Sequence, residues 1–203
     1  MNMTNDQLYS YFENRYLSLL HKHGKTRVGW EEVFTIGGDA TSNDTSTIVH
    51  VWEGNDKLAD VVAAGLRGIV SSNWYLNNGG DWTKFYTDDP MSYVPKHASP
   101  ATKKLVMGGE ACMWASAFAM DSNMEPAIWP NAAAVAEQLW SARVEPVAKA
   151  RTRLSQHRCR MVRRGVRAGP IAEDHCDKNV YVRKSRSFAY PGDFPVSPET
   201  PGP

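Results

Sequence analysis

The chain has 203 residues, is 42% hydrophobic and carries a formal net charge of +1. That is enough for one domain with a sizeable core, yet short of the roughly 250 residues of a complete eight-fold (β/α) barrel. Near-neutral charge excludes a global field for nucleic acid or an anionic membrane, and the sequence has no apolar run of about 18 residues that could form a membrane span.

The start, Met1-Asn2-Met3-Thr4-Asn5, is polar and has no signal-peptide core. On this ground alone the protein is either cytoplasmic or begins upstream. From Thr4 to Gly24 an amphipathic helix is predicted, with Leu8, Phe12, Tyr16, Leu19 and Leu20 at helical spacing, a cap at Thr4 or Asn5, and a stop at Gly24. Thr26–Glu31 reads as a strand and Gly37–Ser46 as a loop. Thr47–Trp52 is a second strand, whose short apolar run fits a buried parallel position. Lys57–Ala64 is a short helix ended by Gly65, and Arg67–Ser72 is a third strand. Asn77–Pro100 reads as a long loop, the kind that in compact domains carries function or is loosely ordered.

Lys104–Met107 is the fourth strand and leads through Gly108-Gly109-Glu110 to Trp114. Trp129-Pro130 opens one helix and Glu145-Pro146 another that stops near Gly165, because proline is tolerated where a helix begins. Residues 177–203 form a proline-rich tail expected to be disordered. There is no internal repeat. The alternation predicts an α/β fold with a parallel sheet. Four strands cannot close a barrel of eight, so residues 1–176 read as the C-terminal half of a TIM (β/α)8 barrel, incomplete in this chain. Such a half would expose strand edges and an apolar inner face.

Each strand end delivers aromatic residues: Trp30, Trp52, the pair Trp74-Tyr75 with Asn77, and Trp114. In such barrels this end binds ligands, and seven tryptophans are a heavy load for the length. Indoles serve as core filler or as sugar-stacking platforms. Placement at strand ends favours a pocket for a small ring-shaped ligand.

Other groups weigh differently. Glu31-Glu32 is no carboxylate dyad, since adjacent strand residues face opposite ways unless the strand bends. Asp88-Asp89 reads as solvated. Glu110, near the pocket floor, divides evenly between structural and catalytic roles. Cys112 reads as a buried thiol in apolar company; Cys159 and Cys176 can pair or stay reduced, and the spacing of the three matches no zinc pattern. His157 and His175 have no partner at metal-ligand spacing, so no metal or other cofactor is expected. Arg151, Arg153, Arg158, Arg160, Arg163, Arg164 and Arg167 read as a solvated helix face, not a nucleic-acid site.

The segments Val28-Gly29-Trp30-Glu31-Glu32-Val33-Phe34, Val49-His50-Val51-Trp52, Trp74-Tyr75-Leu76-Asn77, Gly108-Gly109-Glu110-Ala111-Cys112-Met113-Trp114 and Trp129-Pro130-Asn131-Ala132, through Ala136-Glu137-Gln138-Leu139-Trp140-Ser141, occur in the order of one family. With Ser155 to Val166 as the last helix, residues 1–176 resemble the C-terminal half of the catalytic domain of the β-N-acetylhexosaminidases, glycoside hydrolase family 20, and most resemble the lysosomal and other eukaryotic members.

The resemblance implies removal of terminal, non-reducing β-linked N-acetylhexosamine by a substrate-assisted retaining mechanism, outside the usual two-carboxylate scheme. It implies that Trp30, Trp52 and Trp114 wall in the 2-acetamido group and underlie the sugar ring, with Trp74 counted among the sugar-binding residues. Tyr75 would donate to the acetamido oxygen as a catalytic group, and Asn77 would contact sugar hydroxyls. It further implies a Cys159–Cys176 disulfide, a lysosomal or secreted setting and a homodimer or heterodimer. The triplets Asn2-Met3-Thr4 and Asn43-Asp44-Thr45 fit glycosylation in that setting.

Two departures stand out. The family's adjacent Asp-Glu pair follows a glycine, and no Gly-Asp-Glu occurs here, so the isolated chain is expected to be inactive. Where the family has a distal-hydroxyl glutamate two residues after the last cleft tryptophan, this chain has Ser116. The competing classes are a non-catalytic sugar-binding or pseudoenzyme fragment and a truncated product without an independent fold.

Overall fold

Thr4 caps the first helix. Its side chain accepts from the Gln7 backbone N–H at 3.3 Å, and the Gln7 side chain accepts from the Thr4 N–H at 2.9 Å, a reciprocal capping box. The computed structural model describes residues 3–37, 44–114, 124–142, 145–171 and 176. In chain order its elements are α1 (Asn5–Lys22), β1 (Val28–Trp30), α2 (Glu32–Thr35), β2 (Ile48–Val51), α3 (Lys57–Ala63), β3 (Arg67–Val70), α4 (Trp82–Thr87), α5 (Pro100–Lys103), β4 (Val106–Gly109), α6 (Met124–Ile128), α7 (Asn131–Trp140) and α8 (Val147–Arg163).

The strands form one sheet in the order β1-β2-β3-β4, every neighbouring pair parallel. Parallel pairing requires crossovers, and the intervening helices supply them. Val49 and Val51 are buried together with Leu58, Val61 and Val62 of α3; each such side chain contributes about 1.5–3 kcal/mol by leaving water. Gly68 lets the layers close, since a Cβ there would lie 2.4 Å from Leu58 Cδ1.

A buried polar chain ties α1 to the strand starts. Arg27 Nη1 donates to Glu13 Oε2 at 3.0 Å, Arg27 Nε donates to Thr47 Oγ1 at 3.1 Å, and Thr47 Oγ1 donates to Asp44 Oδ2 at 2.8 Å. Arg27, Glu13 and Thr47 are all buried.

Several expectations need correction. Helix α1 exists, but its apolar stripe faces out: Leu8, Phe12, Tyr16 and Leu19 are all exposed, Phe12 by 63%, while Glu13 and Leu17 are buried. Glu13, on the docked side, pairs with Arg27 at 3.0 Å. Residues 77–100 are not a bare loop; they hold α4 and a 3-10 turn at Pro90–Tyr93. Trp82, Phe85 and Tyr86 on α4 are buried at i, i+3, i+4 spacing, and Asp81 caps it by accepting from Thr83 N.

Asp88 is not merely solvated: it accepts from Asn55 Nδ2 at 3.2 Å and from the Tyr93 hydroxyl. Asp89 caps the next turn through Met91 N at 2.9 Å. Strand β4 lies further along the chain than expected, at Val106–Gly109. Pro130 stands at the N-cap of α7 rather than inside its first turn, after a cis Trp129–Pro130 bond.

Of the arginines expected to be solvated, Arg151, Arg153, Arg160, Arg163, Arg164 and Arg167 are exposed, and Arg158 departs from the expectation. Arg158 is buried, and its Nε donates to the Gly169 carbonyl at 2.7 Å. Arg153 pairs with Glu137, and Arg167 pairs with Glu125 at 2.9 Å. Cys159 and Cys176 form a disulfide that fastens α8 to the segment after it. The tail 177–203, the sequon asparagines Asn2 and Asn43, Ser116 and His175 lie outside the described residues.

Candidate functional site

The carboxyl ends of the four strands surround a cleft of about 530 Å³ lined by Trp30, Glu32, Trp52, Tyr75, Asn77 and Trp114. Three indoles meet there. The Trp30 ring lies 6.3 Å from Trp52, edge-on at 80°, and 5.9 Å from Trp114, tilted by 42°. Trp30 and Trp114 remain 45% and 50% exposed, which leaves ring surface for a ligand. Pair geometries of this kind are favourable for aromatic quadrupoles.

Each wall residue is held from behind. Strand β1 ends at Trp30, and the backbone turns helical at Glu31 (φ −50°, ψ −30°). That bend defeats the opposite-faces rule for Glu31-Glu32, and both carboxylates address Trp52. Buried Glu31 accepts from the backbone N–H groups of Trp52 and Glu53 at 3.2 Å each, while Glu32 accepts from the Trp52 indole Nε1 at 3.1 Å.

Beyond β3 and β4 the pairing persists: Cys112 N donates to the Trp74 carbonyl at 3.0 Å and Leu76 N donates to the Cys112 carbonyl at 2.8 Å. Asn77 Oδ1 accepts from Trp114 N at 3.2 Å. This extension brings Tyr75 and Trp114 to the same cleft. Tyr75 donates its hydroxyl to the Trp52 carbonyl at 3.1 Å. Burial pushes its phenol above the ordinary value; a hydrogen bond with Ser71 opposes the rise, and Cys112, Glu31 and Glu110 add to it. The group therefore stays a protonated donor at neutral pH.

Trp74 is the correction among the expected sugar-binding residues. It is fully buried in the main core, and its indole donates to the Phe85 carbonyl at 3.0 Å. A glycine at position 109 makes the room, for a Cβ there would lie 2.1 Å from the Trp74 ring. The cleft residues missed from sequence are Glu32 and the layer beneath Trp30. His50 stacks under Trp30 at 4.5 Å and 22°, its Nε2 lies 2.7 Å from Ser71 Oγ, and its Nδ1 lies 3.3 Å from Glu110 Oε1. The signal was available, because strand alternation places His50 on the same face as Trp52. Burial lowers the His50 imidazole, with Glu110 opposing. Cys112 is half-buried and sits by these polar groups rather than in apolar company; burial raises its thiol, Ser71 opposes and Glu110 adds.

A parallel sheet with helical crossovers and an aromatic cleft at its carboxyl ends is the arrangement of a (β/α)-barrel protein. The chain belongs to glycosyl hydrolase family 20, whose catalytic-domain profile matches residues 2–143. It is similar to the beta-hexosaminidase subunit beta of Felis catus, 39% identical over 178 residues, which are 84% of this chain and 32% of that protein. It is similar also to beta-hexosaminidase 3 of Arabidopsis thaliana, 36% identical over 83% of this chain and 32% of the relative. Among solved structures it matches the Flavobacterium johnsoniae chitobiase with a TM-score of 0.70 at 34% identity, covering 81% of this chain and 25% of that one. The fold is shared with a Vibrio harveyi exo beta-N-acetylglucosaminidase at a TM-score of 0.66 and 22% identity, covering 80% of this chain and 28% of that one. The chain thus spans about a third of the length of the curated relatives it matches.

Proposed function

We propose that this chain supplies the aromatic half of the cleft of an enzyme that removes terminal β-linked N-acetylhexosamine. The observation that carries the reading is the convergence of Trp30, Trp52, Trp114 and the Tyr75 hydroxyl on one cleft. An N-acetylated sugar offers an apolar ring face for an indole and an amide that must be folded beneath the ring. The substrate's acetamido oxygen attacks the anomeric carbon and the glycosidic bond breaks. Tyr75 exchanges the Trp52 carbonyl for that oxygen and orients the attack, and Asn77 meets sugar hydroxyls. A preorganised donor of this kind acts through position and electrostatics.

Proton transfer to the leaving oxygen falls to the Glu of the family's Asp-Glu pair, whose Asp orients the acetamido group; the 203 residues here contain no Gly-Asp-Glu. The four-stranded sheet is read as the C-terminal half of the barrel. Support comes from the exposed apolar stripe of α1 and from Val28 on β1, 60% exposed, both of which the missing half would cover. Ser116 in place of a glutamate weakens the grip on distal hydroxyls. The disulfide is at home in an oxidising compartment, in keeping with a lysosomal or secreted protein, alone or in a homodimer or heterodimer.

The test is turnover of a chromogenic N-acetylglucosaminide. The chain alone is expected to be inactive, and the same residues joined to the family's N-terminal half active. In the joined protein Tyr75→Phe should lower kcat about 100-fold, as for loss of one oxyanion donor. Unchanged kcat in Tyr75→Phe would sink the role given to Tyr75. Saturable binding of N-acetylglucosamine with no turnover in the joined protein would favour the non-catalytic reading.

A further inference from the structure

Among the described residues, one nitrogen of His50, a carboxylate oxygen of Glu110 and Sγ of Cys112 lie within 4.8 Å of one another. They come from two places in the chain, the middle of β2 and the segment just after β4, which the sheet brings together. None takes part in the sugar chemistry proposed above. We infer that His50, Glu110 and Cys112 form a binding site for a borderline divalent metal ion of the Zn²⁺ class, next to the stacked Trp30 and His50 rings.

Four observations carry the inference. The donor set of imidazole, carboxylate and thiolate is the one Zn²⁺ selects, and three protein ligands plus an open position is a usual zinc arrangement. His50 Nδ1 and Glu110 Oε1 are 3.3 Å apart. Two ligands at ordinary zinc distances and a tetrahedral angle stand about 3.4 Å apart, so this edge of the tetrahedron already exists. The other ring nitrogen of His50 is engaged by Ser71 Oγ at 2.7 Å; if Nε2–H donates there, the lone pair on Nδ1 points to the site, the outer-layer arrangement that orients metal-bound histidines. Lastly, half-exposed Glu110 gives an ion a way in, while buried His50 and the Trp30 ring close the other side. Binding replaces the Cys112 thiol proton with the metal; the S–H bond breaks, the S–metal bond forms and the proton goes to solvent, so affinity rises with pH.

The chain makes the test clean, because its other two cysteines are joined in a disulfide and Cys112 is the one free thiol. Co²⁺ added to the full 203-residue chain is expected to produce thiolate-to-cobalt charge-transfer absorption in the near ultraviolet, and Zn²⁺ should displace it. His50→Gln should weaken Co²⁺ binding by roughly tenfold or more, with the near-ultraviolet circular dichroism checked for folding. The unmodified chain gives an independent readout: Zn²⁺ should slow alkylation of Cys112 by iodoacetamide, and EDTA should restore the rate. Cobalt bound without a charge-transfer band, or an alkylation rate indifferent to Zn²⁺, overturns the site.

Discussion

Glu32 holds Trp52 by its indole: the carboxylate accepts from Nε1 at 3.1 Å while Glu31 grips the same residue by its backbone N–H at 3.2 Å. One cleft wall is therefore fixed at both ends by adjacent acids. Glu32 also lines the cleft, so its removal should disturb sugar binding before it disturbs folding. In the barrel-complete protein, Glu32→Ala is expected to raise KM for an aryl N-acetylglucosaminide about fivefold, the worth of one hydrogen bond of about 1 kcal/mol. Little change in kcat should accompany it, and Glu32→Gln, which keeps an acceptor, should stay near the parent value. Steady-state kinetics decide it; a fall in kcat with KM unmoved would show that Glu32 does something other than hold Trp52.

Asp44 gives a pH dependence far from the cleft. It accepts from Ser46 N at 3.0 Å, Ser46 Oγ at 2.6 Å and Thr47 Oγ1 at 2.8 Å. Burial pushes its carboxyl up, but these hydrogen bonds and the nearby His21 outweigh it and the net shift is downward. With the folded value below the unfolded one, the unfolded chain takes up the proton first as pH falls. The stabilisation is thus complete above the unfolded value of about 3.9 and is lost as pH falls through the folded value. Thermal melts of the parent and Asp44→Asn should differ most above about pH 5 and converge in strong acid; a gap that stays constant down through that range would show that the carboxylate's charge is not what matters.

The strands themselves and the aromatic character of their ends were legible in the sequence because both follow from short-range pattern. Val49 and Val51 read as a buried parallel strand and are one, and Trp30, Trp52, Tyr75, Asn77 and Trp114 were placed at strand ends and share a cleft. What pattern could not carry was competition between partners. The stripe Leu8–Phe12–Tyr16–Leu19 reads as a buried face, yet it lies exposed while Glu13, paired with Arg27, is on the docked side. Trp74 and Tyr75 are neighbours, and Trp74 enters the core where the missing side chain at Gly109 leaves room and the Phe85 carbonyl accepts its indole N–H. The acid pair reads as structural and does hold Trp52, but the strand rule could not place both carboxylates on one residue because the strand ends just before them. His50 and Cys112 escaped notice as neighbours because their proximity is made by sheet register, not by sequence spacing.

The Gly109–Trp74 contact predicts its own substitution. A Cβ at 109 would stand 2.1 Å from Trp74 Cζ3 and 2.5 Å from the Val70 carbonyl oxygen. The second neighbour is backbone and cannot swing aside, so the strain spreads into β3. Gly109→Ala should cost about 3 kcal/mol, the upper part of the range for overpacking. Gly109→Ala combined with Trp74→Phe should recover part of the loss, since the smaller ring withdraws the closest atoms. Urea denaturation of the parent, the two single variants and the double variant measures the coupling; simple additivity would mean that Trp74 is not what the new methyl meets.

The Glu13–Arg27 pair carries the heaviest stability prediction. Arg27 is 1% exposed and Glu13 7%, so neither charge has water to fall back on. Arg27 also donates to Thr47, and the pair therefore couples helix α1 to the entry of both β1 and β2. Burying two charges costs each its hydration, and their attraction offsets that cost only while both are present. Removing Glu13 takes away the carboxylate that faces the buried Arg27 guanidinium, while the Thr47 hydrogen bond stays. Glu13→Ala is therefore expected to destabilise by about 3 kcal/mol, whereas Glu13→Gln, which keeps an oxygen acceptor for Nη1, should lose less. Among the described residues the other attachments of α1 are few, chiefly buried Leu17 and Ser10 Oγ donating to the Ile36 carbonyl at 3.1 Å, so hydrogen exchange in Glu13→Ala should rise along Asn5–Lys22 well before β2 and β3. Uniform acceleration across helix and sheet would instead mean that α1 and the strands unfold as one unit, and that the ion pair does not set the helix's docking separately.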